Sequence, residues 1–297
     1  MMRALVTGGS GQVGKAVTAA GKAFGFACTA PSRAELDLAN PDSITATIDA
    51  EDWSVIINCG AYTAVDKAQT ERDMAHAINR VGPGIIAQAT ALRGIPVIHV
   101  STDYVFDGER NRPYRESDRV SPVSVYGMSK EGGESAVRMG NPRHAILRTA
   151  WVLSATGGNF INTMLRLGET QDEVRVVNDQ RGCPTSADDI AQALLTIAGR
   201  MTAAARPFKS GTWHFVNGGE ASWFDLAHFT FARAAASRLK IPKLVPIPTS
   251  AYPTPAERPA NSRLDTAKFT RDFGYAPRPW QEAIGEILDK RLQGTSA

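Results

Sequence analysis

Tyr126 and Lys130 are the two residues whose types and spacing point most directly to chemistry. On a helix, a spacing of four residues places both side chains on one face, one turn apart. A free phenol has a pKa of about 10 and is a poor proton relay at neutral pH. A nearby ammonium group favours the phenolate and lowers that pKa. The pair alone is common, so its meaning depends on a nucleotide loop and a third polar group upstream.

A glycine loop lies between the first apolar run and the first helical segment. Gly8, Gly11 and Gly14 recur at intervals of three residues. In this setting the first glycine permits a tight turn, the second a close approach of backbone amides to a pyrophosphate, and the third close helix–strand packing. The helix that starts near Gln12 and Val13 directs its partial positive charge at the phosphates. The loop therefore predicts a dinucleotide site.

The end of the second strand selects between the two nicotinamide cofactors. An acidic residue there would bind the ribose 2′-hydroxyl and repel a 2′-phosphate. This sequence has Ser32 and Arg33 at that position, and its first acid is Glu35. The two residues could hold a phosphate, which favours NADPH, whereas a merely solvated Arg33 would leave NADH possible. Asp37 and Leu38 are expected to flank the adenine.

Polar and small residues follow the next two strands at the same sheet edge. Thr102 and Asp103 end the strand of residues 96–101, where a threonine can donate to a substrate carbonyl and an aspartate can accept from a sugar hydroxyl. Their position about 24 residues before Tyr126 favours a joint site over a simple capped turn. Small residues after the preceding strand allow the cofactor to pass closely, and the expected contacts are Ala61, Tyr62 and Thr63.

Strands alternate with helices over the first 150 residues, which predicts an α/β fold with a doubly wound, Rossmann-like parallel sheet. We expect residues 1–150 to form the NADP(H)-binding domain. Residues 151–297 should form mainly a smaller α/β substrate lobe, with some segments returning to the first domain. In that half, helices are predicted over 160–168, 187–201, 223–239 and 280–292, and a strand over 211–216. The proline-rich segment 242–259 can be neither regular helix nor central strand.

Composition limits the class of protein. The chain has 297 residues, of which 43% are hydrophobic and 21% charged, as in soluble globular proteins. A net charge of +3 is too small and too evenly spread to indicate nucleic-acid or membrane binding. Cys28, Cys59 and Cys183 lie far apart and suggest reduced thiols in a cytoplasmic protein. No apolar h-region follows the first residues.

Several motifs together resemble the extended short-chain dehydrogenase/reductase family, and more narrowly the dTDP-4-dehydrorhamnose reductases. The general motifs are TGGSGQVG, STDYVFDG and the tyrosine–lysine stretch. The more particular ones are RTAW at 148–151, NDQRGCPT at 178–185 and the segment 248–262. The resemblance covers essentially the whole chain.

The resemblance implies a role for each matching residue. Tyr126 would donate a proton to the sugar C4 oxygen, Lys130 would bind the nicotinamide ribose and lower the tyrosine pKa, and Thr102 would polarise the ketone. The sugar would be held by Asp103 and Trp151, and the implied reaction is the NADPH-dependent reduction of dTDP-4-dehydro-β-L-rhamnose. Further implied substrate contacts are Val105 and Phe106, with Arg258 and Asn261 gripping the nucleotide diphosphate.

One departure from the family concerns a metal. Members with a Mg²⁺-bridged dimer use acidic residues at positions that match Ala16, Asp188 and Lys290 here. An alanine and a lysine cannot supply the oxygen ligands that Mg²⁺ requires. We therefore expect no Mg²⁺ site, and a monomer and a homodimer both stay open.

Other functions of the same fold also stay open. One is another dTDP- or UDP-4-keto-sugar reductase, an epimerase or a dehydratase. A dehydratase would be expected to carry Asp-Glu after the threonine, whereas this chain has Asp103-Tyr104. The other is a non-catalytic regulatory subunit. The intact set of Thr102, Tyr126 and Lys130 argues against it.

Overall fold

The centre of the molecule is a six-stranded parallel sheet. The structure is a computed structural model that describes residues 1–203, 208–236 and 240–293. In chain order the strands are β1 (Met2–Thr7), β2 (Phe26–Thr29), β3 (Val55–Asn58), β4 (Val97–Thr102), β5 (His144–Thr149), β6 (Val152–Leu153), β7 (Glu173–Val177), β8 (Arg181–Gly182), β9 (Thr185–Ser186), β10 (Gly211–His214), β11 (Ala221–Ser222) and β12 (Lys243–Ile247). The central sheet has the order β10-β5-β4-β3-β1-β2 with parallel neighbours, which confirms the predicted doubly wound sheet.

Helices cover both faces of the central sheet. In chain order they are α1 (Gln12–Ala20), α2 (Pro41–Asp49), α3 (Arg72–His76), α4 (Gly82–Leu92), α5 (Val125–Gly140), α6 (Phe160–Thr170), α7 (Ala187–Thr202), α8 (Trp223–Ala236), α9 (Ala267–Phe273) and α10 (Trp280–Gln293). Side chains of α1 and α7 pack with Val6 on one face, and side chains of α2, α4 and α5 pack with Leu5 on the other. Successive strand residues point to opposite faces, so a sheet covered on both sides has continuous apolar strands.

The sequence predicts a long helix over 71–92 that Gly82-Pro83-Gly84 should bend or divide, and the structure has three helical pieces there. After α3, a π-helical turn spans Ala77–Val81, and α4 then begins at Gly82. Pro83 lies in the first turn of α4, where its missing N–H removes no helical hydrogen bond. The division of the predicted helix therefore falls at the Gly-Pro-Gly sequence, where the π-helical turn gives way to α4.

Short sheets and three helices build the second part of the molecule. β12 pairs in parallel with β7, β11 pairs antiparallel with β8, and β6 pairs in parallel with β9. The proline-rich segment contributes β12, in which Pro246 is opposite Val176 in a two-stranded sheet. This agrees with its exclusion from a central strand, because an edge position tolerates the missing N–H. Helices α6, α8 and α10 pack around one apolar cluster.

Two segments from beyond residue 150 belong to the central sheet. Helix α7 packs against α1, and β10 extends the sheet beside β5. Helix α8 is described as far as Ala236, and the last three residues of the helix predicted over 223–239 lie outside the described residues. Within the described ranges, every helix is too short or too polar to cross a bilayer.

Candidate active site

The first turn of α5 positions the tyrosine and the lysine. Ser124 caps the helix by accepting a hydrogen bond from the Gly127 N–H at 3.2 Å. Tyr126 and Lys130 are both buried on the face turned toward the sheet. A Cβ on Gly127 would lie 2.2 Å from the carbonyl oxygen of Tyr104, so the helix approaches the loop after β4 as only glycine permits.

These residues line a cavity of about 530 Å³ at the carboxyl ends of the central strands. Its walls come from the glycine loop, the ends of β3, β4 and β5, and the start of α5. In this position a doubly wound sheet binds its ligands. The predicted site residues that the cavity brings together are Gly8, Gly11, Gln12, Val13, Ala61, Thr63, Thr102, Asp103, Tyr126, Lys130 and Trp151.

The glycine loop fits the diphosphate of a dinucleotide. Gly8 has φ +67°, and a Cβ there would lie 2.6 Å from the backbone nitrogen of Gly60. The Gly11 N–H donates to the Gly8 carbonyl at 2.9 Å, which closes the turn immediately before α1. Gln12 then joins the loop to the second part of the molecule, because its Oε1 accepts from Ser154 and Asn159. The glycines of the loop leave its backbone open to the cavity at a helix N-terminus, as phosphate binding requires.

The predicted adenosine contacts lie beside this cavity rather than in it. The exposed guanidinium of Arg33 is 3.6 Å from the Asp37 carboxylate, and the Ser32 N–H donates to Glu35 at 2.7 Å. Leu38 is buried and packs against Gly60. These contacts leave the charge of Arg33 partly balanced by Asp37.

Tyr62 points away from the cavity. Its hydroxyl donates to Glu71 at 2.6 Å, and its backbone N–H donates to Asn79 Oδ1 at 2.8 Å. Tyr62 is therefore not among the residues that line the cavity. The neighbouring Ala61 and Thr63 do line the cavity.

Thr102 and Asp103 form a hydrogen-bonded pair in the cavity wall. Thr102 Oγ1 donates to Asp103 Oδ1 at 2.9 Å and accepts from the Tyr104 N–H at 3.2 Å. Burial raises the pKa of Asp103 to about 6, although hydrogen bonds from Ser262 and Thr102 oppose the shift. The raised pKa of this carboxyl group therefore lies about one pH unit below neutral pH.

Burial also shifts the pKa values of the two residues on α5, Tyr126 and Lys130. It raises the pKa of Tyr126, as does the charge of Asp103, while a hydrogen bond with Thr102 acts in the opposite direction. Burial lowers the pKa of Lys130 to about 8, and the charges of Glu134 and Cys59 oppose that shift. The result differs from the expectation that Lys130 acidifies Tyr126: the strongest influences on the phenol raise its pKa.

Trp151 is held in the cavity by a second tryptophan that the sequence did not single out. Its ring stacks on Trp223 with a centroid separation of 3.5 Å and an interplanar angle of 9°. Trp223 Nε1 in turn donates to Gln180 Oε1 at 3.1 Å. Trp151 has φ +46°, a left-handed conformation that is uncommon outside glycine. A tryptophan at the start of an amphipathic helix looks like a core residue in the sequence, so no pattern marked Trp223.

Arg258 lines a neighbouring cavity of about 550 Å³. Its Nη2 donates to Asp66 Oδ2 at 2.8 Å, and its Nη1 donates to the Ala256 carbonyl at 3.0 Å. Tyr104 lies in the walls of both cavities, and Trp223 also lines the second one. The structure thus places Arg258 in a cavity that shares Tyr104 with the cavity of Tyr126.

Three predicted substrate contacts have their side chains elsewhere. Val105 and Phe106 are fully buried in an apolar cluster, where Phe106 stacks on Tyr114 at 4.2 Å. Asn261 Nδ2 donates to two backbone carbonyls of the loop 110–112, at 2.7 and 2.8 Å. Its Oδ1 accepts from the following chain, so Asn261 joins two loops. All three support the walls of the site from behind.

The positions relevant to a metal are not arranged as ligands. Ala16 is buried in the core beneath α7. Lys290 Nζ lies 3.2 Å from Asp188 Oδ2, which forms a surface ion pair. Across the described parts of the chain, no three His, Cys, Asp or Glu side chains are grouped so that they could hold a metal ion.

Comparison with known proteins identifies the family. The sequence profile of the RmlD substrate binding domain matches residues 2–293. A dTDP-4-dehydrorhamnose reductase of Sinorhizobium fredii is 46% identical over 287 residues, which cover 97% of each chain. The crystal structure of a dTDP-4-dehydrorhamnose reductase from Clostridium acetobutylicum has a TM-score of 0.90 at 36% identity and covers 97% of this chain and 99% of its own. The crystal structure of the Bacillus anthracis enzyme in complex with NADP also has a TM-score of 0.90, at 32% identity. It covers 98% of this chain and 100% of its own. The chain therefore belongs to the family of the RmlD substrate binding domain, together with these dTDP-4-dehydrorhamnose reductases.

Proposed function

We propose that this protein uses NADPH to reduce the C4 ketone of dTDP-4-dehydro-β-L-rhamnose to dTDP-β-L-rhamnose, the last step of dTDP-L-rhamnose biosynthesis. The observation that carries the proposal is the placement of Thr102, Tyr126 and Lys130 around one cavity that also contains the glycine loop. Relatives up to 46% identical over nearly the full chain carry the name of this reductase. A structural relative was crystallised with NADP.

Each residue of the cavity has a distinct task in this reaction. NADPH, when bound against the glycine loop, supplies the hydride. Tyr126 donates its phenolic proton to the C4 oxygen, and Thr102 donates a hydrogen bond to the same oxygen. Because negative charge develops on that oxygen in the transition state, donors aimed at it stabilise the transition state more than the ketone. Lys130 would bind the nicotinamide ribose through its ammonium group.

The remaining contacts would orient the sugar nucleotide. Asp103 accepts from a sugar hydroxyl, and Trp151 packs against the sugar ring from its stacked position on Trp223. Arg258 meets the diphosphate, for which a guanidinium offers bidentate hydrogen bonds. The two adjoining cavities give the sugar and the nucleotide separate places, with Tyr104 between them.

Three free cysteines agree with a reducing compartment, and we place the enzyme in the cytoplasm. A small-molecule dTDP-sugar is its proposed partner. A monomer and a homodimer are both compatible with the proposed site.

The direct test is incubation with dTDP-4-dehydrorhamnose and NADPH, followed by identification of the sugar product by NMR. The proposal predicts stoichiometric NADPH oxidation and a C4 alcohol with the rhamno configuration. A different C4 epimer would indicate another keto-sugar reductase. An interconversion of sugars without net NADPH oxidation would indicate an epimerase. No turnover with any dTDP-4-keto sugar would favour a regulatory subunit.

A further inference from the structure

A chain of buried polar side chains runs beneath the cavity from Gly60, which follows β3, to Lys130. The Gly60 N–H donates to Thr7 Oγ1 at 3.1 Å, and Thr7 Oγ1 lies 2.5 Å from Asn58 Oδ1. Asn58 Nδ2 is 3.0 Å from His99 Nδ1, and His99 Nε2 is 3.5 Å from Lys130 Nζ. All four side chains are almost completely buried. We call this series the buried polar chain.

The ring of His99 stands between two groups that constrain its proton. The ammonium of Lys130 has only donors, and one of them is already directed to the Val100 carbonyl at 2.7 Å. A charged Lys130 therefore requires Nε2 of His99 to be an acceptor. A neutral imidazole then carries its proton on Nδ1, facing Asn58.

The side-chain amide of Asn58 can accept the Nδ1 proton of His99 if the amide is rotated by 180° about its Cβ–Cγ bond. Its oxygen and nitrogen have the same shape, and their assignment follows from the hydrogen-bond network. With Oδ1 toward His99, the amide accepts the Nδ1 proton and its Nδ2 donates to Thr7 Oγ1. Both ring nitrogens of His99 and both polar atoms of the Asn58 amide then have a partner, while the Thr7 hydroxyl becomes an acceptor from Asn58 and Gly60 and no longer donates to the amide.

From this geometry we infer that His99 is a positioning residue for Lys130, with its Nδ1–H tautomer fixed by Asn58 and its Nε2 accepting from the Lys130 ammonium. The inference deepens the proposed reductase function and rests on it. The buried polar chain also begins at Gly60, which lines the cavity just after β3. It therefore fixes the lysine relative to this part of the cavity wall.

The charges around the ring agree with a neutral His99. Burial and the Lys130 charge lower the pKa of His99 well below its ordinary value. Glu134 and Arg138 on α5 also face it, with opposite effects. The neighbours from β1 and β3 are the uncharged Thr7 and Asn58, and the thiol of Cys59 has a pKa raised to about 12, mainly by burial. The ring therefore acts through its hydrogen bonds and not through a charge.

The first test reads the tautomer directly. Imidazole ¹⁵N NMR of the full-length protein distinguishes a protonated from an unprotonated ring nitrogen, and a His99→Gln spectrum assigns the signals among the five histidines. We expect His99 to show a protonated Nδ1 and an unprotonated Nε2 from pH 6 to about 7.5. A Lys130→Met variant should abolish this preference. A protonated Nε2 in the wild type over that range would overturn the inference.

The second test separates positioning from packing. Removing the acceptor in His99→Leu destabilises the charged lysine, so the alkaline limb of kcat/KM should move to lower pH by about one unit. Gln can present its Oε1 near the position of Nε2, so His99→Gln should restore most of the limb. If both variants keep the alkaline limb of the wild type, or if both shift it by the same amount, His99 contributes only packing and the inference is overturned. If the wild type itself turns over no keto sugar, the proposed function fails, while the NMR result still decides the tautomer.

Discussion

Arg258 and Asp66 are ion-paired at 2.8 Å, although 192 positions separate them in the chain. The pair joins the proline-rich segment to the loop after β3, along the wall of the second cavity. The Arg258 side chain is 19% exposed, so its charge is partly desolvated and balanced by one carboxylate. A diphosphate that binds here must share this guanidinium with Asp66 or displace it. The arginine is thereby already oriented before the substrate arrives.

Arg258→Ala should mainly weaken substrate binding. Loss of one charge-assisted phosphate contact is expected to raise KM for the sugar nucleotide about 10-fold or more, with kcat changed much less. Steady-state kinetics at saturating NADPH measure both. The control is Arg233→Ala, which removes an exposed arginine paired with Asp289 on α8 and α10. Equal KM values for the two variants would remove Arg258 from the nucleotide site.

Tyr126→Phe tests the proton donor. The change removes one hydroxyl from a buried ring, and turnover should fall by roughly 100-fold or more because the proposed proton donor to the C4 oxygen is lost. NADPH affinity, measured by fluorescence titration, should change by less than about threefold, since the nucleotide contacts lie mainly in the loop. Near-wild-type turnover would contradict the role.

Asp103→Asn should make the protein more stable and less active. The pKa of Asp103 is about 6 in the folded protein against an ordinary value of 3.8. The folded state therefore holds more protons than the unfolded state between these values, and the stability contributed by this group falls as pH rises through the interval. The asparagine avoids that penalty, which amounts to about 3 kcal/mol at pH 7.5 and about half of this at pH 5.

Denaturant unfolding of both proteins at the two pH values measures this difference. The variant's advantage should shrink on acidification, whereas a packing effect would be independent of pH. A variant less stable than the wild type at pH 7.5 would show that the carboxylate is better solvated than its burial indicates.

Arg33 tests the choice of cofactor. If its guanidinium holds the 2′-phosphate, Arg33→Ala should lower the ratio of kcat/KM for NADPH to that for NADH by about 10-fold. Its 3.6 Å contact with Asp37 keeps it near the ribose side of the site. Lys22→Ala, an exposed change just after α1, serves as the control. A ratio unaffected by loss of Arg33 would assign the 2′-phosphate to other groups.

Activity should be independent of divalent metal. Lys290 forms an ion pair with Asp188 and Ala16 has no ligand atom, so two of the three matching positions cannot bind Mg²⁺. Full activity in excess EDTA is expected. A loss that added Mg²⁺ restores would show a metal site built from other residues.

The glycine loop, the parallel sheet and the Tyr126–Lys130 helix could all be predicted because each depends on residues close together in the chain. The buried polar chain could not. In the sequence His99 is one residue of an apolar strand and is most simply taken as core. Its partners Asn58 and Lys130 are 41 and 31 positions away, and only the register of β3, β4 and α5 brings them together.

The same limit explains the residues that were placed differently. Val105 and Phe106 follow soon after Asp103, and the family resemblance implied that they contact the substrate. The turn after β4 instead sends their side chains into the core. Asn261 and Arg258 lie in one segment, yet one joins two loops and the other faces a cavity. Neither periodicity nor composition distinguishes such neighbours.

The return of α7 and β10 to the central sheet restricts how the molecule can move. The polypeptide crosses from the sheet to the substrate side after β5, comes back for α7 and β10, and crosses again before α8. Two bodies tied by several strands of backbone cannot swing apart about one flexible joint. We expect the cleft to admit its sugar nucleotide by small sliding adjustments of packed helices, so that binding should leave the radius of gyration almost unchanged.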